Sequence, residues 1–72
     1  MSRLRKRSLA LAGHATSLAL EPAFWAALED LARERRLSLA GLVAEIDAGR
    51  GDSALASACR LAALSFATDR RP

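Results

Sequence analysis

Seventy-two residues make one domain near the lower size limit for a self-sufficient core, and much of the 51% hydrophobic content is alanine, with two Phe, one Trp and no Tyr. The single cysteine, Cys59, excludes an internal disulfide and reads as a small core hydrophobe in a reducing cytosol. No window approaches the roughly 20 apolar residues of a membrane span, and the net charge of +3 suits a polyanionic partner.

The chain begins with a cluster of cations, Arg3, Arg5, Lys6 and Arg7, and residues 1–7 read as a flexible basic arm. The basic start followed by Leu9-Ala10-Leu11-Ala12 imitates a targeting peptide. That apolar run is too short for one, and the chain reads as intact and cytoplasmic. Residues 8–68 form the single domain, and residues 69–72, with Arg70 and Arg71, form a basic tail.

Leu18 and Leu20 alternate with Ser17 and Ala19, as in a half-buried strand. Leu9 and Leu11 have the opposite parity, so a continuous strand would split the leucines between two faces. A hairpin with Gly13-His14 as a type II′ loop brings Leu9 opposite Leu18 and all four leucines to one face. A bulge at Gly13 would also reset the phase, and residues 1–12 without order would remove the conflict, but the hairpin is the preferred reading.

Beyond the strand the hydrophobic period changes to that of helices. Pro22 at a first helical position and the spacing of Phe24, Leu28 and Leu31 predict a helix from Pro22 to Arg35 or Arg36, with Trp25 covering the sheet. Ser38 is an N-cap for a second helix with the stripe Leu39, Leu42, Val43 and Ile46, ended by Gly49-Arg50-Gly51. Asp52 or Ser53 caps a third helix, about 54–68, that is apolar nearly all round. Leu61 and Leu64 on its second stripe form an oligomer surface.

A short strand running into a helix, with a second capped helix after it, resembles the ribbon-helix-helix domains. The run Gly13-His14-x-Thr16-Ser17-x-x-Leu20-Glu21-Pro22-x-Phe24-Trp25 is similar to a small bacterial branch of them, and the likeness extends over about residues 6–66. The resemblance implies an α+β, mostly α fold, built as an intertwined homodimer with an antiparallel β-ribbon. To this the chain adds an N-terminal hairpin and an extra C-terminal helix. Leu18, Leu20, Phe24, Leu28, Leu42 and Ile46 would form the dimer core. The ribbon would enter the major groove of double-stranded DNA, and Ser38, Leu39 and Ala40 would offer a helix N-terminus to a phosphate. Transcriptional repression is the implied function.

The residues that would face DNA bases are Ala15, Ser17 and Ala19, and with a hairpin Ser8, Ala10 and Ala12 join them. Bases are read by bidentate Arg, Lys, Asn or Gln, so this face discriminates poorly. Affinity would then rest on Arg3, Arg5, Lys6 and Arg7 at phosphates. An alternative is a protein-interaction module of the same fold, an antitoxin or adaptor, with the small-residue face against a partner protein. A third reading is a structural unit whose last helix drives tetramers. His14, the only histidine, reads as a turn residue and no metal ligand. Glu45 and Asp47 point apart, so they form no catalytic pair. No cofactor motif and no enzyme signature is present, and the expected partners are a second copy of the chain, duplex DNA or another protein.

Overall fold

The computed structural model describes residues 3–69. Strands β1 (Arg5–Leu11) and β2 (His14–Leu20) are followed by helices α1 (Pro22–Glu34), α2 (Leu39–Gly49) and α3 (Leu55–Asp69). The strands form an antiparallel hairpin, and the helices pack beneath one of its faces.

The hairpin turns at Ala12-Gly13, one residue earlier than expected, with Leu11 paired to His14, Leu9 to Thr16 and Arg7 to Leu18. Both loop residues have positive φ, 49° at Ala12 and 87° at Gly13. That is a type I′ turn rather than type II′, and its twist matches that of the strands. Glycine serves the second central position of the one turn as well as the first of the other, so its presence alone does not place the loop. The shift moves each partner by two residues, which preserves parity, and all four leucines do lie on the helix-facing side. His14 opens β2 instead of forming the turn.

The same register corrects the N-terminal boundary. Arg5, Lys6 and Arg7, assigned above to a flexible arm, are the first residues of β1. Asp69 belongs to α3, and Arg70 and Arg71 of the expected tail lie outside the described residues.

Helix α1 starts where proline predicts. Glu21 adopts an extended conformation and its carbonyl accepts from the Phe24 and Trp25 N–H groups, while Pro22 occupies the first turn, where a missing N–H costs nothing. The helix ends in a Schellman arrangement. Arg36 takes φ of 59°, its N–H donates to the Arg33 carbonyl, and the Leu37 N–H donates to the Ala32 carbonyl at 2.8 Å. Ser38 caps α2, its Oγ accepting from the Gly41 N–H at 2.9 Å. At α3 the residue ahead of the helix is Ala54, whose carbonyl accepts from the Ala58 N–H. The capping role expected of Asp52 or Ser53 is therefore not filled by either. Arg50 orders that connection instead, bound to the Asp47 carboxylate at 2.6 Å and donating to the Ser53 carbonyl.

Leu18, Leu20, Leu28 and Leu42, assigned above to a core shared between subunits, are buried within one chain. Trp25 and Val43 join them, and Cys59 and Ala63 on α3 belong to the same core. Burial of each large aliphatic side chain is worth about 1.5–3 kcal/mol. Phe24 and Ile46 are only partly buried. The hairpin's apolar face thus finds cover within the chain, β1 against α2 and β2 against α3, and not solely in a second copy.

Candidate nucleic-acid interface

The hairpin has two chemically distinct faces. Leu9, Leu11, Leu18 and Leu20 point to the helices, and the opposite face carries the cross-strand pairs Lys6 with Ala19, Ser8 with Ser17, and Ala10 with Ala15. These outer residues are exposed, apart from a half-buried Ala19. Neither strand contains an acidic residue. The expectation that Ala15, Ser17 and Ala19 share one outward face agrees with this register.

Strand β2 is also an open edge. In an antiparallel pair closed by a two-residue turn, the flanking residues exchange both hydrogen bonds, and such pairs then alternate along the ladder. With Leu11 and His14 as the closing pair, Thr16, Leu18 and Leu20 bond to β1. The N–H and C=O groups of Ala15, Ser17 and Ala19 point away from it. Among the described residues no backbone bond outside the hairpin meets them. A groove of about 440 Å³ adjoins β2, lined by Thr16, Ser17 and Leu18 of the strand together with Asp47, Arg50 and Leu55. An extended segment laid along β2 would complete the ladder there.

The basic residues divide by parity. Arg5 and Arg7 leave β1 on the helix side, where the Arg7 guanidinium is 2.9 Å from the Glu29 carboxylate and 4.7 Å from the Trp25 ring centroid. The Trp25 indole N–H donates to the Arg5 carbonyl at 2.8 Å. Arg7 therefore belongs to the packing of β1 on α1 rather than to a free arm. Lys6 projects from the outer face, with no carboxylate paired to it among the described residues. Arg3 precedes the strand and is exposed. Parity was legible in the sequence, but the Arg7–Trp25–Glu29 cluster was not, because Arg7 lies 18 residues from Trp25 and 22 from Glu29.

At the start of α2, Ser38 is exposed and satisfies Gly41. The N–H groups of Leu39 and Ala40 belong to the first helical turn, which has no intrahelical acceptor for them. Exposed Arg36 stands just ahead.

Remote from the sheet's outer face, Arg60 on α3 donates to the Glu21 carboxylate at 2.9 Å and lies 5.7 Å from the Phe24 ring centroid. This hydrogen bond holds the Glu21 carboxyl below its ordinary range. Burial, with a smaller contribution from Asp47, pushes the Cys59 thiol up, as befits an inert core residue. Leu61 and Leu64 are 64% and 58% exposed and share the outward side of α3. Glu45 pairs with Arg35 and Asp47 with Arg50, so the two carboxylates serve separate ion pairs.

With this geometry the chain matches the family model described as the ribbon-helix-helix domain, over residues 4–67. The chain belongs to the ribbon-helix-helix domain family. Membership carries a DNA-binding or regulatory role in general terms, in a fold that is not enzymatic and whose members generally act as dimers. Comparison with curated proteins and with solved structures gave no significant match. No helix among the described residues is long and apolar enough to cross a membrane.

Proposed function

We propose that this protein is a transcriptional repressor, acting in the bacterial cytoplasm as a homodimer that presents its sheet to the DNA major groove. The observation that carries the reading is the open edge of β2 beside a sheet face free of carboxylates. Two copies joined antiparallel through β2, with the two-fold axis near Ser17 at the middle of the strand, pair all of His14–Leu20 and satisfy the outward backbone groups of Ala15, Ser17 and Ala19. The paired strands then bring Ala15, Ser17 and Ala19 of both copies to the base edges. The N-terminus of α2, with Ser38 and Leu39, offers its N–H groups to a phosphate.

A second reading has its own observation. The outer face is almost wholly Ala and Ser, which supply little hydrogen-bonding discrimination between bases. A flat face of this kind also suits close packing on a protein, as in an antitoxin or adaptor. A gel-shift titration on DNA upstream of the protein's own gene, against scrambled DNA at two salt concentrations, separates the two. A repressor binds the upstream duplex more tightly than the scrambled one. A protein-interaction module binds neither.

A further inference from the structure

The hairpin makes the DNA-facing element wider than a two-stranded ribbon. Resting on the repressor reading above, we infer that the two β1 strands of the dimer lie over the phosphate backbones on either side of the groove, with Lys6 as the cation that meets them.

Joining two hairpins through β2 gives the order β1-β2-β2-β1, because β1 occupies the other edge of each β2. Strands are spaced about 4.8 Å apart, so the axes of the outer strands are roughly 14 Å apart before side chains are added. The major groove is about 12 Å wide and admits a two-stranded ribbon. The central β2 pair fits, and the outer strands do not descend with it. They come to rest on the rims, and the right-handed twist of the sheet lets them follow the groove.

The side chains on the sheet's outer face sort accordingly. At the centre Ala15, Ser17 and Ala19 are small, which allows the backbone to come near the base edges. On the outer strand Lys6, directly across from Ala19, is the one charged residue of that face, and Ser8, across from Ser17, adds a hydroxyl. Lys6 is exposed, whereas Arg7, one position on and therefore on the opposite face, is held by Glu29 and Trp25. Of the strand's three cations, Lys6 alone stands on the outer face; Arg5 leaves on the helix side and Arg7 is committed to the fold.

The test is the salt dependence of binding to labelled duplexes, upstream and scrambled, for the full chain and for Lys6→Gln, Lys6→Arg and Arg7→Gln, each checked by thermal melting. Each phosphate contact contributes about 0.9 to the slope of log K against log salt. Lys6→Gln should therefore lower the slope by about 2 per dimer, weaken upstream and scrambled duplexes alike and leave the melt unchanged. Lys6→Arg should restore the slope. Arg7→Gln should lower the melting temperature and keep the slope. A normal slope in a folded Lys6→Gln variant overturns the inference and leaves the repressor reading standing. Absence of binding by the unmodified protein at low salt overturns both and brings the protein-partner reading forward.

Discussion

The Arg7 guanidinium lies over the Trp25 indole, 4.7 Å from the ring centroid, and the same indole donates its N–H to the carbonyl of Arg5, two residues earlier in the strand. The contact fixes the start of β1 on the first turn of α1. It thereby fixes which face of the hairpin Lys6 must take.

Trp25→Phe keeps most of the buried ring and removes the N–H donor. Loss of this partly buried hydrogen bond should cost about 0.5–1.5 kcal/mol. Amide exchange in β1 should accelerate more than exchange in α2. Trp25→Ala should cost about 3–5 kcal/mol through lost burial. Chemical denaturation and hydrogen exchange together check both.

Among the described residues, two non-glycine residues sit in the left-handed region, Ala12 at 49° and Arg36 at 59°. Ala12→Asn, which creates the favoured Asn-Gly type I′ turn, and Arg36→Gly, at the Schellman position, should each stabilise the protein by about 1 kcal/mol. A rise in melting temperature is the readout. No change at position 12 would contradict the type I′ assignment.

These positions show what was and was not legible before the structure. The starts of α1 and α2 rest on Pro22 and Ser38, residues whose effect is local, so sequence was enough. The common face of Leu9, Leu11, Leu18 and Leu20 was legible because either two-residue loop conserves parity. The loop itself was not, since Gly13 satisfies both turn types. Arg36 carried no signal for a left-handed residue, a position glycine normally holds. The burial of Leu18 and Leu20 within one chain depends on the helices that pack on the hairpin, α3 against β2 among them, and the periodicity of α3 alone does not say which side it packs on. For the interface, the outward placement of Ala15, Ser17 and Ala19 followed from alternation, whereas the separation of Lys6 from Arg7 needed the true start of β1.

The Glu21–Arg60 pair makes stability pH-dependent on the acid side. Because Arg60 lowers the folded-state pKa of Glu21 below the ordinary value of 4.5, the contribution is present above that value and is lost as pH falls through the folded pKa. Glu21→Gln should be less stable than the unmodified protein at neutral pH, and the two should converge in acid. Denaturation midpoints measured from pH 7 down to below the folded pKa of Glu21 provide the check. Curves that stay parallel would show that the pair contributes nothing.

Cys59 is fully buried and its thiol is pushed up. It should resist thiol reagents in the native protein and react as soon as denaturant unfolds it, with a native-state rate that tracks global opening. Rapid labelling without denaturant would mean that α3 detaches locally.

Leu61 and Leu64 leave α3 with an exposed apolar side. If that side joins dimers into tetramers, Leu61→Glu should halve the mass seen by light scattering while circular dichroism stays nearly constant. Equal masses for variant and unmodified protein would remove α3 from the assembly.

In the repressor proposed above, a dimer joined through β2 presents the outer face of its sheet to duplex DNA. The most direct measurement is the change in amide chemical shifts of the isotopically labelled protein as an upstream duplex is added at low salt. The largest changes should fall at Lys6, Ser8, Ala15, Ser17 and Ala19, with a second group at Leu39 and Ala40. Saturating duplex that leaves these amides unmoved, or that shifts only residues of α3, would contradict the proposal.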